Sequence, residues 1–156
     1  MAVAVAEVTE ARPRTRGERR LAWTLRFFAL LFAIGAVGFL VRPDDVVHDL
    51  DRVGALVGLP TLVESRVPVT SDFWLPLAIA NMATITACAW FASRDVRRRR
   101  SLVHAIVVSK LASSATGILL FVRWSMAFPF LTVALVDLPI ALILMSGLRR
   151  ARVDAA

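Results

Sequence analysis

Four long runs of apolar residues, separated by short polar or basic segments, dominate the hydrophobic pattern of the chain. Each run is close to the roughly 20 residues that an α-helix needs to cross the hydrocarbon core of a bilayer. The runs cover residues 21–41, 73–92, 101–122 and 128–148. We therefore predict an all-α integral membrane protein, built as an antiparallel bundle of four transmembrane helices.

The remaining residues divide around this membrane domain, which we place at 21–148. Residues 1–20 are predicted to form a flexible basic cytoplasmic tail, and residues 149–156 a second one. The composition agrees, because 58% of the 156 residues are hydrophobic and the mean hydropathy is +0.68. A cleaved signal peptide is the alternative for the first run, but the run is longer than a usual signal core and ends without a small-residue cleavage pattern.

The longest connection, residues 42–72, contains a short helical pattern of its own. Its apolar residues recur at helical spacing, Asp44 can serve as the N-cap, and Gly58 and Pro60 form a stop. We predict a short amphipathic helix in this outer loop. Its acidic face with His48 could instead hold a divalent cation, but the spacing matches neither a calcium loop nor a zinc site, so no metal is predicted. The stripe consists of Val46, Leu50, Val53 and Val57.

The net charge of +7 is distributed unevenly along the chain. Most arginines lie in the two tails and in the loop 94–100, which all fall on one side of the membrane if the spans alternate. This positive-inside bias predicts that both termini are cytoplasmic. Trp23 and Trp90 then mark the inner membrane interface, and Trp74 and Trp124 the outer one. The predominance of Arg over Lys, with abundant Ala and Val, favours a GC-rich bacterium and its plasma membrane.

Two ionisable residues lie near the middle of apolar runs, Lys110 in the third and Asp137 in the fourth. A charge at this depth is costly and is usually paired. Lys110 lies roughly 14 Å from Ser101 and Asp137 roughly 18 Å from Arg149 at the helical rise, so their depths differ by about 4 Å. We predict that the two groups form a pair. Pro139 is expected to break the fourth helix beside it.

Several polar residues are predicted to surround this pair. Asn81 and Thr84 share one face of the second span with Cys88, and we expect that face to point inward. The pair either fixes helix register alone, binds a ligand, or exchanges protons as the site wets and dries. The candidate intramembrane binding or proton site therefore consists of Lys110, Asp137, Ser113, Ser114, Asn81 and Thr84.

Familiar catalytic patterns are missing from the sequence. It contains no paired nucleophile and base, no phosphate-binding loop and no His/Glu metal cluster, which disfavours an enzyme. His104 has no second intramembrane histidine with which to ligate a haem, and Cys88 is the single cysteine. No cofactor is predicted, and Cys88 is interpreted as a small apolar packing residue.

In length, number of spans and connectivity, the chain resembles DoxX-like and other small four-span bacterial membrane proteins. This resemblance is architectural and assigns a role to no residue. The leading hypothesis is a non-catalytic accessory, scaffold or ligand-binding membrane subunit. The alternative is a small oligomeric proton- or solute-coupled transporter or channel that uses Lys110, Asp137 and the Pro139 break. Expected partners are the lipid bilayer and another membrane protein or a second copy of the chain, but not nucleic acid.

Overall fold

The computed structural model of the protein describes residues 13–62, 71–123 and 127–153, and the regular structure within these ranges is helical. Four of the helices are long and apolar enough to cross a membrane, which is typical of a membrane protein. The predicted all-helical class and the four apolar helices are therefore confirmed. The elements are α1 (Arg16–Val41), α2 (Pro43–Leu56), α3 (Ser71–Arg94), α4 (Arg100–Arg123) and α5 (Phe128–Val153).

Helix α1 begins five residues before the predicted start of the first span. Thr15 and Glu18 form a capping box, in which each side chain accepts a hydrogen bond from the backbone N–H of the other residue. This box can start a helix in a polar segment. Residues 16–20 therefore belong to α1 rather than to the predicted tail. Helix α5 likewise extends into the predicted C-terminal tail, whereas residues 1–12 and 154–156 lie outside the described ranges.

Helix α2 is the short helix that the pattern of 42–72 predicts, but its start differs. Pro43 occupies the first turn and Arg42 the N-cap position, so the prediction of Asp44 as N-cap is wrong. Proline suits this position because its missing N–H would have no helical partner. The helix ends shortly before Gly58, whose φ of +75° marks a turn that favours glycine. Beyond it, Asp51 accepts a hydrogen bond from the Leu62 N–H at 3.1 Å.

The apolar core lies where the four long helices meet. Helix α1 packs mainly on α3, and α4 packs mainly on α5, while a smaller contact joins α1 to α5. Large side chains elsewhere on α1 stay exposed, as for Phe27 and Leu30, each at 62%. Such an apolar exterior suits contact with lipid. The core includes Leu21, Leu25, Phe28, Phe32, Ile85, Ala89, Val103, Ile106, Ile140 and Leu144.

A close approach joins α4 to α5 at Gly117. A Cβ atom there would lie 2.7 Å from the Phe130 carbonyl oxygen, so only glycine fits. Gly117 is the last member of a small-residue ladder at positions 105, 109, 113 and 117, a spacing that allows helices to pack closely. Ala105 at the other end of the ladder is exposed, so the ladder is not buried along its whole length.

Two of the four tryptophans can be compared with the predicted interfacial positions. Trp23 and Trp90 lie near the Arg16 end of α1 and the Arg94 end of α3, and both are exposed. Arg26 Cζ lies 5.2 Å from the centroid of the Trp23 ring, and Arg94 Cζ lies 5.4 Å from the centroid of the Trp90 ring. Trp124 and the side chain of Trp74 lie outside the described residues.

Candidate functional site

Lys110 belongs to the buried stripe of α4 although it is charged. The stripe recurs every three or four residues through Val103, Val107, Lys110, Ser114 and Gly117, so the packing of its apolar members fixes the direction of the lysine. Only 4% of Lys110 is exposed. The sequence therefore buries this ammonium group through the same periodicity that builds the core.

Asp137 lies on the corresponding buried stripe of α5. Ala134, Ala141 and Leu144 share that stripe, and Asp137 itself is 8% exposed. Small alanines on either side keep α5 close to its neighbours at this level. The carboxylate is thus directed into the same interior that receives the lysine.

The two charged groups meet, as the depth estimate predicts. Lys110 Nζ lies 2.8 Å from Asp137 Oδ1, within hydrogen-bond distance of an ion pair. On another side, the ammonium lies 4.7 Å from the centroid of the Phe32 ring. That distance is typical of a cation–π contact. The lysine is therefore held by a carboxylate from α5 and an aromatic face from α1.

Two serines complete the polar cluster from the same helix as the lysine. Ser114 Oγ donates to the Lys110 carbonyl oxygen at 2.7 Å. Ser113 Oγ lies near that carbonyl as well, at 3.1 Å, and is also in contact with Asp137 Oδ2. A hydroxyl has one proton to donate. Because Ser114 already serves the carbonyl, we assign the Ser113 proton to Asp137, whose two oxygens then each have a donor.

Asn81 and Thr84 do not join this cluster. Both side chains are exposed on α3, so the inward orientation expected for them is wrong. Thr84 satisfies its hydroxyl locally by donating to the Ala80 carbonyl at 2.8 Å. A hydroxyl bonded to its own helix can face an apolar environment at low cost. Cys88 from the same predicted face is half-buried and packs against the apolar core.

Pro139 lies two residues beyond Asp137 but does not interrupt the helix. Helix α5 runs continuously from Phe128 to Val153 with Pro139 inside it. The predicted break is therefore at most a local loss of one backbone hydrogen bond. The transporter hypothesis uses a break at Pro139, and α5 has no interruption at this position.

A second buried carboxylate, which sequence reasoning did not single out, lies at the start of α1. The side chain of Glu18 is 4% exposed and accepts from Arg97 Nε at 3.1 Å, in addition to its capping contact. Arg97 lies in the segment between α3 and α4. The pattern Thr-x-x-Glu at 15–18 could have identified the cap. No sequence signal could have identified the partner, which is 79 residues away.

Three other candidate ligands, Asp45, Asp49 and His104, have local contacts. Asp45 pairs with Arg42, and Asp49 lies 3.4 Å from Arg52, both along α2. His104 is exposed, with Nδ1 2.8 Å from the Arg100 carbonyl oxygen. Among residues 13–62, 71–123 and 127–153, no three His, Cys, Asp or Glu side chains are grouped so as to hold a metal ion.

Chemically, the Lys110–Asp137 cluster is a closed and internally satisfied ion pair. Each charged group has a partner from another helix, and little of either is exposed. Comparisons with protein families, with curated proteins and with solved structures gave no match to this chain.

Proposed function

We propose that the protein is a non-catalytic accessory, scaffold or ligand-binding subunit of a bacterial plasma membrane. In this proposal α1, α3, α4 and α5 span the membrane as an antiparallel bundle, both termini face the cytoplasm, and α2 lies at the outer surface. The basic segments before α1, between α3 and α4 and after α5 support this orientation, because positive charge favours the cytoplasmic side.

The closed state of the Lys110–Asp137 pair carries the proposal. A site that moves protons or solute needs access to water on at least one side. Here the ammonium lies between a carboxylate and an aromatic ring, and the two charged residues are 4% and 8% exposed. Such a pair holds α4 against α5 and α1. This structural role is compatible with a protein that acts by binding partners at its surface.

A groove between α1 and α3 supports a role in association. It has a volume of about 410 Å³ and is lined mostly by alanine, with Trp90 and Phe91 at one end. Small residues let a further transmembrane helix approach closely. The lining consists of Ala33, Ala36, Ala83, Thr86, Ala87, Trp90 and Phe91.

A double-mutant cycle tests the fastening role of the pair. Lys110→Met and Asp137→Leu should each lower the free energy of unfolding in detergent by about 3–5 kcal/mol, because each leaves one buried charge without a partner. The double variant should recover most of this loss, since a well-packed apolar pair can replace a buried ion pair. The exposed Arg52–Asp49 pair on α2 provides a matched control, for which Arg52→Met and Asp49→Leu should change little.

The opposite result would favour the second candidate function, a proton- or solute-coupled transporter or channel. Its specific support is that Ser113 Oγ and Lys110 Nζ both contact the carboxylate of Asp137, which places an exchangeable hydroxyl proton beside the pair. If all three variants have the same free energy of unfolding as the unmodified protein, the ion pair does not stabilise the helix packing. The accessory proposal is then contradicted. Loss of proton flux in proteoliposomes of those variants would then establish the alternative.

Cysteine labelling tests the orientation separately. In a Cys88→Ala background, Asp49→Cys on α2 and Arg98→Cys between α3 and α4 each introduce a thiol at an exposed side chain. A membrane-impermeant reagent added outside intact cells should label position 49 and leave position 98 unlabelled. Labelling at 98 alone would reverse the proposed topology.

A further inference from the structure

A basic groove lies between the first turns of α1 and the last turns of α5. Its volume is about 1060 Å³, and among the residues that the structure describes four arginines and no acidic side chain line it. Arg16, Arg19 and Arg20 recur on α1 at the three- and four-residue spacing that places side chains on one face. Arg150 approaches from α5.

These four guanidinium groups are uncommitted, unlike several others at the same end of the molecule. In the described part of the chain none of the four forms a salt bridge, whereas Arg97 is paired with Glu18. Guanidinium groups bind phosphate oxygens through paired hydrogen bonds. The groove is therefore complementary in charge and donor geometry to a phosphate-bearing anion.

The groove also continues into an apolar surface, which a free anion would not use. Exposed Trp23 lines it, and the same face of α1 goes on through Phe27, Leu30 and Ile34, each more than half exposed. On α5 the half-exposed Ile143 lies on the groove wall. An amphiphile could place its headgroup among the arginines and its chains along this apolar face.

The floor of the groove is formed by a close helix contact. A Cβ atom at Gly147 would lie 2.9 Å from Leu21 Cδ1, so glycine lets α5 approach α1 below the arginines. The three arginines of α1 and Arg150 of α5 are thereby held on opposite walls of one cleft.

We propose that this groove is a binding site for one anionic phospholipid, whose phosphate groups contact Arg16, Arg19, Arg20 and Arg150. Basic clefts between transmembrane helices recognise phosphorylated headgroups by this chemistry. The site is independent of the closed Lys110–Asp137 pair, and it adds a specific ligand to the role proposed above.

Native mass spectrometry of the full chain in detergent tests the site with defined lipids. We expect diphosphatidylglycerol to bind in a saturable manner at one molecule per chain, and phosphatidylcholine not to bind. Arg20→Gln combined with Arg150→Gln should weaken binding about thirtyfold, since each basic residue near an anionic headgroup contributes roughly a fivefold factor.

A matched control removes two charges outside the groove. Arg98→Gln combined with Arg123→Gln lowers the net charge by the same amount at exposed positions, and neither residue lines the cleft. Binding should stay within about twofold of the unmodified protein, because distant charges are screened at physiological salt. Equal weakening in both double variants would reduce the site to general surface attraction and overturn the proposal.

Two further measurements on the unmodified protein do not depend on folding of the variants. If phosphatidylcholine binds as well as diphosphatidylglycerol, no headgroup is recognised. If millimolar inorganic phosphate displaces the lipid completely, the cleft holds a free anion rather than an amphiphile. Either result contradicts the proposal, whereas retention of the anionic lipid against phosphate supports it.

Discussion

Two of the buried carboxylates in the described part of the chain, Asp137 and Glu18, each pair with a cation but are held in different ways. Asp137 lies in the middle of α5 and meets Lys110, which is itself buried and has the Phe32 ring as an additional contact. Glu18 lies in the first turn of α1 and meets Arg97, whose side chain is 40% exposed. Both acids are paired, but only one of the two cations can reach water without leaving its place.

We infer from this difference that the loss of folding free energy on neutralising an acid depends on whether its cationic partner can reach water. Arg97 can turn its guanidinium to water if Glu18 is neutralised, and the Thr15 cap still fixes the start of α1. Lys110 has no such escape at its depth in the helix. Loss of the ion pair at the helix end should therefore reduce stability slightly. Loss of the pair in the middle of the helices should reduce it much more, because an unpaired charge then stays buried between α4 and α5.

The largest expected difference between the two sites appears when each acid is replaced by the amide of the same shape. Asp137→Asn should reduce the free energy of unfolding by about 3 kcal/mol, because it leaves the Lys110 charge buried without an anion. Glu18→Gln should cost about 1 kcal/mol, since the amide oxygen still accepts a hydrogen bond and Arg97 is solvated. Thermal unfolding in detergent measures both.

Salt concentration separates the two sites further. Added salt should reduce the effect of Glu18→Gln, because the half-exposed Arg97 is screened, and leave that of Asp137→Asn unchanged. A Glu18→Gln loss equal to or larger than the Asp137→Asn loss would mean that partner exposure is not the deciding factor.

A smaller effect is expected from a substitution that separates α4 from α5 and leaves both charged residues in place. Gly117→Ala should destabilise the protein by about 1–3 kcal/mol, because the new methyl group meets the Phe130 carbonyl oxygen and the backbone must shift. Gly38→Ala on α1 is the matched control, since a Cβ atom there meets nothing within 4 Å. That change should be neutral or should stabilise helix α1 by up to about 1 kcal/mol.

Coupling to the pair gives this prediction its second readout. Gly117 and Lys110 lie on one stripe of α4, two turns apart, so a shift of α4 away from α5 should also strain the ion pair. Gly117→Ala should therefore cost less in the Lys110→Met, Asp137→Leu double variant than in the unmodified protein. Strict additivity would show that the close contact and the pair are independent.

The sequence predicted the long helices well because one strong signal, continuous apolar length, defines them. The Lys110–Asp137 contact followed from the same source, since depth along a helix is simple arithmetic at a fixed rise. Charges at that depth also leave few acceptable alternatives to a partner.

Thr84 and Asn81 show where the same reasoning fails. Their polarity favours an inward orientation, yet a threonine can satisfy its hydroxyl by donating to its own helix backbone, as Thr84 does to the Ala80 carbonyl. Only groups that the local backbone cannot satisfy, such as an ammonium, are forced toward a distant partner. The contact between Lys110 and Phe32 could not be predicted either, because nothing in the sequence distinguishes Phe32 from the other apolar residues of α1.

The order of Lys110 and Asp137 along the chain has a consequence for biosynthesis. Lys110 is made 27 residues before Asp137, a delay of roughly one to five seconds at ordinary rates of translation. Throughout that interval the lysine is present in the nascent chain while its counter-ion is not, and α4 itself is completed at Arg123 before Asp137 is made. Helices α4 and α5 should consequently enter the membrane as one unit, with the first waiting at the insertion machinery for the second.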